Sequence, residues 1–213
     1  MKRSLLAASA VISAVAFAPA ANAAVIGAVG QLNLPFVALS SAGLNGGSVA
    51  TLTGGAVLTS DQPFADIPEG FSGTLFGGTF LAAGPTFSQP AVLSFNQFVN
   101  RLGFLIGSPD TYNQLTITST AGVFNFTPTA LGLPGDGNQG LSQYVNFATT
   151  SASERILSVS FTNIPAVDAF ETANFAVGAV PEPATWAMML LGFGAVGYSM
   201  RRSKKTPQVT FAI

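Results

Sequence analysis

The chain of 213 residues has no cysteine and no histidine, and only 17 charged side chains, 8 Lys+Arg and 9 Asp+Glu. At 8% charged, it falls far below the roughly 25% of an ordinary soluble domain. Without Cys or His there is no disulfide framework, no zinc or iron–sulfur site, and no haem held by either residue. Ser–His–Asp and Cys–His nucleophilic machinery is excluded as well. Any catalysis would have to run on carboxylates, hydroxyls or a handful of cations. The lack of Cys also means that an exported form draws no stability from an oxidising compartment.

The scarce charge is segregated. Lys2 and Arg3 sit at one end, Arg201, Arg202, Lys204 and Lys205 at the other, and only Arg101 and Arg155 lie between. Eight of the nine acids fall within 24–180, so a nearly neutral chain is an acidic body between two basic ends. Two scattered arginines do not make the clustered Lys/Arg footprint that a nucleic-acid backbone requires. No nucleic-acid partner is therefore expected. The basic ends read as membrane-orientation signals.

At the N-terminus, MKRS precedes the apolar run LLAASAVISAVAFA and then PAANA. A short cationic region, a brief apolar run and small residues at Ala21 and Ala23 predict a secretory signal peptide over 1–23. Signal peptidase would hold Ala21 and Ala23 in shallow pockets and cut after Ala23. A permanent anchor is disfavoured because the run is short and ends at Pro19.

The C-terminus carries the most specific pattern. From Val180 it reads VPEPATWAMMLLGFGAVGYSM, followed by RRSKK. Residues 184–200 are uncharged and would make a helix of about 25 Å, just enough for a bilayer core of about 30 Å. Trp186 would sit at the outer interface, and Arg201, Arg202, Lys204 and Lys205 would hold the far end in the cytoplasm. Gly192, Gly194 and Gly197 keep one helix face thin. Ahead of the helix, Pro181, Glu182 and Pro183 predict an extended tripeptide just outside the membrane.

Pro181, Glu182, Pro183, Trp186 and Ala187, with the apolar helix and basic cluster behind them, resemble the PEP-CTERM sorting signal in its PEPxxWA variant. The resemblance spans about 25 residues, taken as a segment over 179–205 and followed by a short tail at 206–213. It implies an exosortase-dependent surface protein of a Gram-negative, exopolysaccharide-making bacterium. Exosortase is a membrane-embedded cysteine peptidase. The resemblance implies that it cuts near the Pro-Glu-Pro motif, after transient anchoring in the inner membrane, and that the product goes to the cell surface or extracellular matrix. The partners so implied are signal peptidase, exosortase, the inner membrane and exopolysaccharide.

The body, 24–178, is long enough for one domain with a real core. Period-two alternation dominates it. Leu157, Val159 and Phe161 alternate with Ser158, Ser160 and Thr162; Leu115 and Ile117 with Thr116 and Thr118; Phe124 and Phe126 with Asn125 and Thr127. Further strands are expected around 25–33, 49–58, 71–80, 91–106, 143–149 and 168–178, with 38–60 as a loosely ordered edge. Turn clusters such as Asn45-Gly46-Gly47 punctuate the gaps. The expected fold is all-β, an antiparallel, jelly-roll-like β-sandwich, flanked by the signal peptide and a C-terminal transmembrane helix.

Alternation places a coat of hydroxyls and amides opposite the apolar face. Such a coat suits hydrogen bonding to sugars and also suits attached glycans. The favoured reading is that an exported β-protein simply tolerates such a coat.

The segments Gly107-Ser108-Pro109-Asp110-Thr111-Tyr112-Asn113 and Phe170-Glu171-Thr172-Ala173-Asn174 look like the GSxDxYN turn and late FExDN-like strand of one group of exosortase-dependent surface proteins. Ala173 stands where that pattern expects Asp. Asp110, Asn113, Glu171 and Asn174, with Asp136 and Asn138, would form a Ca²⁺ site if three separate turns converged. The favoured reading is that each caps its own turn, with no metal or cofactor. Arg101 and Arg155 are expected to pair with acids such as Glu154 or Glu171.

An enzyme would have to be a carboxylate-dependent glycoside hydrolase, with Asp110 and Glu171 as the pair. The expectation is a non-catalytic exported protein. A carbohydrate-binding module with exposed Tyr112 or Tyr144 is the alternative, and the hydrolase a remote one.

Overall fold

A computed structural model describes residues 24–178 and a helix at 183–202. The expected signal peptide, with Ala21 and Ala23, lies outside the described residues, as do Pro181, Glu182, Lys204, Lys205 and the tail 206–213.

Thirteen strands precede the helix in the described chain. They are β1 Val25–Val29, β2 Leu39–Ser40, β3 Gly43–Leu44, β4 Ala50–Thr53, β5 Ala56–Leu58, β6 Phe80–Ala83, β7 Ala91–Phe95, β8 Arg101–Gly107, β9 Asn113–Ser119, β10 Gly122–Phe126, β11 Ser142–Thr149, β12 Ile156–Asn163 and β13 Phe170–Gly178; helix α1 is Pro183–Arg202. One sheet runs β1-β11-β8-β13-β6-β5 and the other β10-β9-β12-β7-β4-β3-β2. The named pairings are antiparallel. Their central strands, β6-β13-β8-β11 facing β7-β12-β9-β10, follow the strand order of a jelly roll.

The two sheets share one apolar core. Inward residues of β9 are Asn113, Leu115, Ile117 and Ser119, as period-two patterning dictates. Phe161 of the second sheet enters a cluster of first-sheet rings. It lies 5.3 Å from Phe104, 5.5 Å from Phe170 and 6.1 Å from Phe175, near edge-to-face in each case. Such pairs add about 0.5–1.5 kcal/mol each beyond their buried area.

The strands β8 and β13 are buried on both faces. Residues 59–79 supply the reason. Ala65 and Leu75, with Ile67 and Phe71 beside them, pack on Phe80, Ala82, Leu105 and Ala173 as a second apolar cluster. The first sheet is therefore covered outside as well as in, whereas the outer face of the second is not.

Several sequence expectations need correction. The 49–58 strand divides into β4 and β5, which belong to different sheets. Gly54 and Gly55 turn the corner with φ of 70° and 68°, a region open to glycine at little cost. The 91–106 strand likewise divides into β7 and β8, on opposite sheets. Residues 71–78 form no strand. Gly73, Gly77 and Gly78 have positive φ, and Phe76–Gly78 is a 3₁₀ turn. The segment 38–60 is an edge, but not a loose one, since Leu44 and Ala50 are fully buried. In β12 a bulge between Ile156 and Ser158 shifts the phase, so Ile156 is buried and Leu157 is not.

The helix expected over 184–200 forms as α1, beginning at Pro183, where a proline fits the first turn because its missing N–H would have no partner. Pro183 therefore belongs to the helix and not to an extended tripeptide. The transmembrane helix expected there is not shown: among the described residues, no helix is long and apolar enough to cross a membrane. The three glycines and the polar Tyr198 and Ser199 thin its apolar content.

Candidate functional site

A cleft of about 200 Å³ opens at one end of the two-sheet body. Four parts of the chain line it: Phe64 and Asp66 from the covering segment, Ser108, Asp110 and Tyr112 from the β8–β9 turn, Gln139 ahead of β11, and Asp168, Ala169 and Glu171 at the start of β13. Four carboxyls face this space and no cation lines it.

The turn is held by amides. The Asp110 N–H donates to Asn113 Oδ1 at 2.7 Å. Asn113 Nδ2 donates to Asn163 Oδ1 at 2.9 Å, and Asn163 Nδ2 donates to the Asp168 carbonyl. This buried chain of bonds ties the β8–β9 turn to the entry of β13 and so places Asp110 near Asp168. Residue 137 must be glycine for the same reason. Its φ is +62°, and a Cβ there would lie 2.3 Å from Asp110 Oδ1. On the other side, the Phe64 carbonyl accepts the Ala169 N–H at 3.0 Å. This leaves the Phe64 ring 64% exposed at the rim.

Glu171 is buried to 6% exposure. Burial, chiefly, pushes its carboxyl from 4.5 up to about 8; the charge of Asp66 adds to this, while backbone N–H groups of Glu171 and Asp66 and the Ser108 hydroxyl oppose it. Ser108 Oγ donates to Glu171 Oε2 at 3.4 Å. At neutral pH the group is therefore mostly protonated. Asp110 is also raised, by burial first and then by the charges of Asp168 and Asp136, with the Tyr112 hydroxyl acting in the opposite sense. The Tyr112 hydroxyl is held protonated far above the ordinary phenol range by burial and by Asp110. A cleft built this way can donate protons or hydrogen bonds at pH 7 from a group that would be ionised in water.

The structure brings Asp110 and Glu171 to one cleft. It does not assemble the calcium set. Asn113 is 1% exposed and spent on the turn. Asn174 Oδ1 accepts the Phe76 N–H, and its Nδ2 donates to the Tyr144 hydroxyl, both at 2.8 Å. Asp136 and Asn138 cap their own loop by accepting from the N–H groups of Asn138 and Gly140. Among the described residues, no group of three or more acidic side chains is placed to hold a metal ion. Ala173 is buried against the second apolar cluster, a place where a carboxylate would have no partner.

Tyr144 is no sugar platform either. It stacks on Phe36 at 6.0 Å and meets the Phe71 ring edge-on at 5.8 Å. Among the described residues, neither Arg101 nor Arg155 pairs with Glu154 or Glu171. Glu154 is buried, accepts from Ser119 Oγ at 2.5 Å, and leaves Oε2 without a partner. Asp66, Asp168 and Asn163 were not singled out from the sequence. For Asn163 a signal existed, since it falls in phase with the inward positions of β12. Nothing local marks Asp66 or Asp168, which reach the cleft by long-range folding.

At the C-terminus, the side chain of Arg201 is exposed at the end of α1 and Arg202 is its last residue. Trp186 and Ala187 lie within the helix. Met188, Leu190, Leu191, Phe193 and Met200 are each more than two-thirds exposed, an unusually apolar surface.

Residues 179–204 match the PEP-CTERM protein-sorting motif. The chain thus carries that motif at its C-terminus, as Pro181, Glu182, Pro183 and the residues behind them suggested. No curated protein and no solved structure matches the chain.

Proposed function

We propose that this chain is a non-catalytic exported protein, processed by exosortase at its C-terminus and deployed at the cell surface or in extracellular polysaccharide. The observation that carries the reading is the PEP-CTERM motif at 179–204. In this reading residues 1–23 are the signal peptide cut by signal peptidase after Ala23. The segment 24–178 is the exported body, and 179–205 is the address. Pro181, Glu182 and Pro183 are the processing site, and Arg201, Arg202, Lys204 and Lys205 hold the cytoplasmic end. The exposed apolar side chains of α1 support engagement with the inner membrane or with a membrane-embedded peptidase before release.

The test is replacement of Pro181, Glu182 and Pro183 by alanine in the producing cell. Uncleaved protein should accumulate in the inner-membrane fraction. Mature protein at the surface with an unchanged C-terminus would refute the reading.

A further inference from the structure

The outer face of the second sheet is left uncovered by the fold, and its side chains form ordered rows. Cross-strand pairing sets Val123, Thr118, Ser158, Ser94 and Thr51 side by side over five strands. Two residues along each strand, Asn125, Thr116, Ser160, Val92 and Thr53 make a second row. Neighbours within a row are about 4.8 Å apart, and the rows about 6.8 Å apart. None of these side chains is buried. Among the described residues, the side-chain hydrogen bond drawn on the two rows runs from Thr116 Oγ1 to Asn125 Oδ1, at 2.8 Å. Among the described residues, no side-chain hydrogen bond engages the hydroxyls of Thr51, Thr53, Ser94, Thr118, Ser158 and Ser160.

What the face lacks identifies its partner. Protein interfaces are built on aromatic, Met and Arg anchors and are poor in Ser; the rows hold no such anchor. A nucleic acid or an anionic polysaccharide would need cations, and the rows have none, on a body with eight acids against two arginines. The usual sheet twist, about 20–25° per strand, is a poor match to a flat crystalline lattice. A flexible neutral polyol chain meets every condition: it offers hydroxyls to hydroxyls, carries no charge, and can follow the twist.

We infer that this face binds neutral polysaccharide, with Thr116, Thr118, Ser158 and Ser160 at its centre. The inference rests on the reading that the protein is delivered to extracellular polysaccharide. With no aromatic ring to stack on, each sugar is held by hydrogen bonds that compete with water, so affinity comes from repeated contact along one chain. Polymers bind and short oligosaccharides do not.

The experiment is affinity electrophoresis of the full-length chain in mild detergent through gels containing dextran, pullulan, the neutral polysaccharide extracted from the producing culture, or anionic alginate. Retardation is expected with at least one neutral polymer, is not expected with alginate, and is not relieved by millimolar glucose or maltohexaose. A Thr116→Val, Thr118→Val, Ser160→Ala variant should bind at least about tenfold more weakly, since each lost hydrogen bond is worth about fivefold. A Ser72→Ala, Thr74→Val control on the covering segment should bind as wild type, and equal melting temperatures establish that both variants fold.

No retardation by any neutral polymer overturns the inference, as does retardation that survives the triple variant. A dimer that the triple variant dissolves would show the face to join copies of this chain and would also overturn it. Because binding is read on purified protein, a failure of exosortase processing leaves this result unaffected, so the two readings fail separately.

Discussion

Replacing Glu171 by glutamine should make the protein more stable at pH 8 and leave it nearly unchanged at pH 4.5. In the folded chain the Glu171 carboxyl is pushed from 4.5 up to about 8, first by burial and further by Asp66. Below pH 4.5 the group is protonated in both folded and unfolded chains and favours neither. Between the two values the unfolded chain releases a proton that the folded chain keeps, so stability falls as pH rises and the loss is complete above about pH 8. A rise of this size corresponds to at most about 5 kcal/mol, against a total of about 5–15 kcal/mol for an ordinary domain. For a protein of this length that is a melting-temperature loss of at most about 10–20 °C.

Glutamine has one acceptor and one donor end, like the protonated acid, and can still accept from Ser108 Oγ. Asp110, raised for the same first reason, leaves a shallower slope in the same direction in the variant. The assay is urea denaturation of wild type and Glu171→Gln at intervals from pH 4 to 9. Parallel curves across that range would show that Glu171 is not held protonated in the fold.

Other perturbations test the packing and the site's supports. Phe161→Ala removes the ring on which Phe104, Phe170 and Phe175 converge and should cost about 3–5 kcal/mol in urea denaturation; less than about 1 kcal/mol would contradict the shared core. Asn163→Ala strands the Asn113 amide and the Asp168 carbonyl and should cost about 2–3 kcal/mol, with faster amide exchange at the β8–β9 turn as its local signature. At the sheet corner, Gly55→Ala would put a Cβ 2.6 Å from that of Ala91 at a φ of +68°. It should lose more than about 1 kcal/mol, whereas Gly46→Ala, which meets nothing within 4 Å, should lose less.

Part of this architecture was legible in advance because alternation is a local property. Leu115, Ile117, Phe124 and Phe126 could be placed on the inner face from their spacing, and antiparallel strands joined by tight turns pointed to a two-sheet fold. The failures share a cause. Whether Gly54-Gly55 interrupts a strand or turns it into the other sheet depends on Pro90 and Ala91, residues far along the chain that the corner touches. The bulge that buries Ile156 instead of Leu157 is set by pairing with β9. At the site, Asp110 and Glu171 line one cleft, while Asn113 and Asn174 turn inward to hold backbone, an outcome that local sequence does not reveal.

By itself, the sequence determined the excluded chemistry, the β class and the C-terminal address, because each depends on residue types or on patterns within a few consecutive residues. Tertiary structure alone decided how the acids and hydroxyls are used. Four carboxyls from three separated segments enter one cleft, and burial there keeps Glu171 protonated. Residues 59–79 cover the outside of one sheet and leave the other bare, and strand register aligns the bare sheet's Ser and Thr into rows. Both depend on which distant segments pack together and exclude water, a property that no short stretch of chain possesses.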